Sequence, residues 1–133
     1  MEAQALGRLV LTGCFRNCRA VAKYATARGG TVAVIAAGER WPDGTLRPAA
    51  EDLAAAGAII AGLPGTMSPE SAAAAAVWNF AKGGIGSFLA SCASGRELVE
   101  RGFEEDVTIA GEVDVSSTVP VLHEGAYIRG STM

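Results

Sequence analysis

Histidine occurs once in these 133 residues, and the three cysteines, Cys14, Cys18 and Cys92, form no C-x-x-C pair. That scarcity excludes a zinc site or a disulfide framework and points to a reducing cytoplasm. Charge is scarce too: only 19% of residues are charged, with a formal net charge of -3. Such a chain has no large basic surface for DNA or RNA. No apolar run approaches the roughly 18 residues of a membrane helix. The opening MEAQALGRLVLTG has no basic stretch ahead of an apolar core, so no export signal is expected. What is plentiful is hydrophobic side chain, 50% of the total, enough to bury one core and too little chain for two.

The segment GCFRNCR sets a cysteine just ahead of an arginine, the pairing used by thiolate phosphatases. Cys14 has four residues before Arg19 and one before Arg16, and Cys92 is followed by Ala-Ser-Gly-Arg. None of these spacings lets a loop of N–H groups encircle a phosphate. Cys14 is therefore expected to be a small buried or half-buried hydrophobe, and Cys18 to face the core by helical periodicity.

Residues 8–12, Arg-Leu-Val-Leu-Thr, form a β-prone run ending at Gly13. A helix capped by Asn17 follows and stops at Gly29-Gly30, after which Thr-Val-Ala-Val-Ile-Ala, residues 31–36, is apolar on both faces. That is the pattern of a parallel strand covered on both sides, so strand, helix and strand read as a βαβ unit. GERWPDGTLRP, residues 38–48, reads as a loop at the strand's carboxyl end, the usual ligand position in open α/β sheets. Pro48 suits the first turn of a helix with Leu53, Ala56, Gly57, Ile60 and Leu63 as its buried stripe. Ser68-Pro69-Glu70 caps another helix that should reach about Ala81. A shorter helix is expected over Ile85 to Cys92, and Ser94 to Glu97 has the form of a capping box for the next, ending at Gly102. Residues 106–113 fit helix or strand, and the runs around His123-Glu124-Gly125 predict a terminal hairpin. The expected class is α/β: one domain over 1–133, a parallel or mixed sheet with flanking helices and a C-terminal β-hairpin.

Three segments, CFRNCRAVA, VAVIAAGERWPDGTLRPAAEDLAAAGAII and CASGRELVERGFEEDVTIAGEVDVSSTVPVL, together resemble the C-terminal part of the 2-phosphosulfolactate phosphatase family, from about Val10 to about Ile128. The resemblance implies a magnesium-dependent hydrolase that converts 2-phospho-3-sulfolactate to sulfolactate and phosphate, as in coenzyme M biosynthesis. Members of that family carry a preceding α/β portion with no counterpart here. The resemblance therefore also admits a non-catalytic piece, a subunit that associates with itself or with a chain supplying that half.

Phosphomonoester hydrolysis needs neutralised phosphoryl oxygens and an in-line water, and Mg2+ asks for as few as one or two carboxylates. Under the resemblance, Asp52 and Glu39 are the catalytic candidates, Asp52 and Asp43 the metal ligands, and Arg16, Asn17, Arg40 and Arg96 the groups holding a small anionic substrate. Each has a plainer reading. Glu51 and Asp52 can simply complement a helix N-terminus, Asp43 can close an Asp-Gly turn, Arg40 can stack on Trp41, and Arg96 can be an exposed first-turn residue. Arg16 and Asn17 lie where a strand end meets a helix start, a position that attracts anions.

Overall fold

The computed structural model of the chain describes residues 7–130. Among the described residues, 13 of the 17 buried hydrophobic side chains are alanine, valine or cysteine, and the elements they build are short. A 3-10 turn, Phe15–Asn17, runs into α1, Cys18–Arg28. A small hairpin follows, with β1 at Glu39–Arg40 and β2 at Leu46–Arg47. Helices α2, Ala50–Ala61, and α3, Pro69–Ala81, make the most extensive contact in the molecule. Then come α4, Ile85–Ser91, α5, Ala93–Glu100, and α6, Glu104–Ala110, before the closing hairpin of β3, Pro120–His123, and β4, Ala126–Arg129.

The α2–α3 contact depends on a glycine. A Cβ on Gly57 would sit 2.0 Å from the backbone oxygen of Ala74, so only glycine lets the two backbones approach this closely. Ala54, Ala58 and Ile59 of α2 join Phe15, Cys18, Val21 and Ala22 in one buried cluster, completed by Ala81, Leu89, Val107 and Val119. Phe15 and Trp78 meet in it with ring centroids 5.7 Å apart. Helix α3 starts as its residues predict: the Ser68 hydroxyl accepts from the Ser71 N–H at 3.2 Å, and Pro69 occupies the first turn.

The mixed helix-and-strand class and the C-terminal hairpin are as expected, with Val121 opposite Ile128 and Leu122 opposite Tyr127. The sheet is not. Both ladders among the described residues are antiparallel and two-stranded, so the expected βαβ unit is not assembled. Residues 8–12 are reduced to an isolated bridge, Leu11 to Val121, with the Thr12 N–H donating to the Pro120 carbonyl. Residues 31–37 join no ladder at all, and their backbone groups make no backbone hydrogen bond within the described residues. Their β-propensity is high, but a parallel strand needs neighbouring strands and the described residues present none beside them. Pro48 precedes α2 rather than opening it, Leu53 is exposed, and residues 106–113, legible as helix or strand, fall largely in helix α6.

A carboxylate–arginine cluster at the start of α2

The first hairpin is a charge-paired device. Glu39 of β1 lies directly opposite Arg47 of β2, and the two form an ion pair at 3.3 Å. Opposite charges across an antiparallel pair reinforce register. The second Glu39 oxygen accepts from the Ser94 hydroxyl of α5 at 2.8 Å. Arg47 also engages Glu97, three residues along the same helix, with Nη2–Oε1 at 2.8 Å and Nη1–Oε2 at 3.3 Å. Its guanidinium lies 5.0 Å from the centroid of the Trp41 ring. Three elements thus meet on one arginine whose side chain is only 12% exposed.

Asp52 completes the cluster from the first turn of α2. The chain turns at Gly38 with φ +68°, which presents its N–H to Asp52 Oδ2 at 2.7 Å. Burial raises the Asp52 carboxyl above its ordinary range, and the nearby charges of Glu51 and Glu39 push the same way, while the Gly38 N–H opposes them. Glu51 and Arg96 both act on the Cys92 thiol, which burial first and then Glu51 raise. The Arg96 N–H donates to the Cys92 carbonyl at 2.9 Å, and its exposed side chain makes no hydrogen bond or ion pair among the described residues.

The other expected site residues lie apart from this cluster and are committed to structure. Arg16 donates to the Ile109 carbonyl at 2.9 Å and pairs with Glu112. Asn17 is buried, accepts from the Cys14 N–H at 2.8 Å and donates to the Thr118 carbonyl at 2.9 Å, so it ties the chain together rather than capping α1. Next to it Asp114, at φ +56°, accepts from the Arg19 N–H and pairs with the Arg19 guanidinium at 3.1 Å. Burial alone would raise the Asp114 carboxyl, but the Arg19 N–H, the Cys18 thiol and the Arg19 charge together hold it below the ordinary range. Cys18 pays the converse: burial and Asp114 push its thiol up to about 12. Arg40 donates to the Gly44 carbonyl within its own hairpin, leaving Arg47 rather than Arg40 over Trp41. Asp43 spends Oδ1 on the N–H and hydroxyl of Thr45, a turn contact that holds its carboxyl below the ordinary range. Cys14 is exposed, not buried.

Arg47, Ser94 and Glu97 were missed as site residues. The signal was present: an Asp-Gly turn flanked by Glu39 and Arg47 is a hairpin signature that brings those two opposite each other. Ser94 was read as a cap, but α5 begins at Ala93 and the Ser94 hydroxyl goes to Glu39 instead. Two clefts, of about 540 and 420 Å3, are lined by other residues.

Two half-buried carboxylates, Glu39 and Asp52, one of them paired with Arg47, stand at a helix start in a mixed helix-and-strand protein, a donor set of the kind used on anionic esters. Comparison with known families specifies more. The model of the 2-phosphosulpholactate phosphatase family matches residues 1–125, and the chain belongs to that family, whose activity is that of a phosphoric monoester hydrolase. The match covers nearly the whole chain and takes in every residue of the cluster. Among curated proteins no match is found. Among the described residues no helix is long and apolar enough to cross a membrane.

Proposed function

We propose that this chain cleaves the phosphate ester of 2-phospho-3-sulfolactate, releasing sulfolactate and phosphate, and that the cluster of Glu39, Arg47, Asp52 and Arg96 is where it does so. The observation that carries this reading is the Asp52 carboxylate: half-buried, raised by burial and by two acidic neighbours, and oriented by the Gly38 N–H. A carboxylate so placed takes a proton from a water more readily than an ordinary one. In the reaction a water oxygen bonds to phosphorus as the ester P–O bond breaks. Asp52 accepts the water's proton, and the departing alkoxide is reprotonated from solvent. Arg96, whose side chain has no partner among the described residues, is the cation free to meet the phosphate or sulfonate. Arg47 holds Glu39 in place through their ion pair.

Magnesium fits this donor set in a limited way. Among the described residues no group of three acidic, cysteine or histidine side chains is arranged to hold an ion. Asp52 with Glu39 or Glu51 would supply the one or two carboxylates Mg2+ requires, its other positions going to waters and substrate. There it would neutralise charge on the phosphoryl oxygens. Burial is the main cause that raises Asp52, and the lesser repulsion from Glu51 and Glu39 is what a divalent cation would relieve. Asp43, with its turn contacts made, is the weaker ligand. A cytoplasmic setting and a place in the coenzyme M pathway belong to the same proposal and follow from the substrate it names.

Phosphate release from 2-phospho-3-sulfolactate, followed colorimetrically with Mg2+ and with a chelator, tests the assignment. Magnesium-dependent release is expected; a folded chain that liberates no phosphate under either condition removes it.

A further inference from the structure

The larger of the two clefts, about 540 Å3, lies between α1 and the chain at 114–119 and shares no residue with the carboxylate cluster. One face of α1 lines it, because residues 19, 23 and 27 and residues 20, 24 and 28 stack at four-residue spacing. Three of those six side chains are cationic. Arg28 lies over the Tyr24 ring and donates to its hydroxyl at 2.6 Å. Arg19 gives its Nε–H to Asp114, which leaves both Nη atoms without a hydrogen bond among the described residues. The Lys23 ammonium, on an exposed residue, makes no hydrogen bond or ion pair there either. Like charges four residues apart, as Arg19 and Lys23 are, destabilise a helix, and an anion between them would reverse that.

The opposite wall adds donors rather than acceptors. The Asp114 and Ser116 N–H groups donate to the Phe15 and Arg16 carbonyls at 3.0 and 2.8 Å, whereas those of Val115 and Ser117 have no hydrogen bond among the described residues. Ser116 Oγ accepts from the Thr118 N–H at 3.2 Å and keeps its own proton to give, and the Ser117 hydroxyl is unpartnered among the same residues. Asp114 is the one carboxylate lining the cleft, and both its oxygens are engaged by Cys18 and Arg19. We infer that this cleft binds a small organic phosphate. Its phosphoryl group would lie between Arg19 and Lys23 and against the donors of residues 115–117, and its carbon skeleton against Ala20, Ala27 and Val119. Two unneutralised cations match a dianionic phosphoryl group better than a singly charged sulfonate or carboxylate. The volume falls in the range of small-molecule sites and exceeds what a bare phosphate ion fills. The inference goes beyond the phosphatase reading and does not depend on it.

The test is titration of the full chain with phenylphosphonate, a phosphate-like dianion on an apolar ring that a phosphatase cannot hydrolyse, followed by amide shifts in NMR spectra. Benzenesulfonate, of like shape with one charge, and inorganic phosphate, without the ring, are titrated beside it. Saturable shifts at residues 19–28 and 114–118 are expected with phenylphosphonate, and weaker binding of the other two. Lys23→Ala, at an exposed position in a helix, should weaken phenylphosphonate binding about tenfold, the effect of losing one charged hydrogen bond. Lys82→Ala, which removes the same charge at the end of α3, should leave it unchanged. Circular dichroism of both variants checks that the helices are intact. Shifts confined to residues 38–52 and 94–97, no saturation, benzenesulfonate or inorganic phosphate bound as tightly, or equal losses in the two lysine variants would each overturn the inference.

Discussion

Asp52 and Asp114 shift in opposite directions, and their acid titrations should separate them. The folded chain holds the Asp52 proton more tightly than the unfolded chain does. Its contribution to stability is therefore greatest at low pH and declines as pH rises from the ordinary 3.8 through the folded value. Asp114 is the reverse: its stabilisation is complete above 3.8 and is lost as pH falls through its depressed folded value. Asp52→Asn, which keeps an acceptor for the Gly38 N–H, should flatten the first slope without lowering stability at neutral pH. Asp114→Asn should cost about 1–3 kcal/mol there, since it weakens charged hydrogen bonds to Arg19 while keeping a residue that tolerates φ +56°. Urea midpoints measured across the acid range check both. Gly38→Ala adds a side chain at φ +68° and within 3.0 Å of Leu46, so a loss of about 1–2 kcal/mol is expected from the same titration.

At the scale of elements, the helices and the C-terminal hairpin were legible and the larger sheet was not. Helix signals are local: the Ser68-Pro69 cap, the Gly29-Gly30 stop and the spacing of Cys18, Val21, Ala22 and Ala25 act within a few residues of one another. The expectation for α3, ending at Ala81, is met by Pro69–Ala81. A strand is completed only by its neighbours, and residues 31–36 have the composition of a covered parallel strand without the sheet. The cluster was half legible for the same reason. Glu39, Asp52 and Arg96 were identified by their chemistry and their place after a presumed strand. Arg47 and Glu97 enter through packing between a hairpin and a helix fifty residues apart in sequence. Gly57 shows that packing at its tightest. Gly57→Ala should destabilise the chain by about 1–3 kcal/mol, because Ala74's backbone cannot yield as a flexible side chain would; thermal unfolding of the single variant measures it.

The molecule as a whole joins an ordered, small-residue core to an exposed apolar segment, with the carboxylate cluster at the junction between them. Arg16 and Asn17, expected at an anion site, are bonded instead to Ile109, Glu112 and Thr118. Those two residues hold the 3-10 turn to residues 109–118, and their loss should appear as instability rather than as altered turnover. The central claim is that the carboxylate cluster at the start of α2 is catalytic. Its most direct test is the rate of phosphate release from 2-phospho-3-sulfolactate by Asp52→Asn beside the wild-type chain, with thermal midpoints measured on the same samples. The account expects kcat/KM to fall by about 10²–10⁴-fold, the range of a lost general base, with the midpoint unchanged. An Asp52→Asn protein as active as wild type would contradict it.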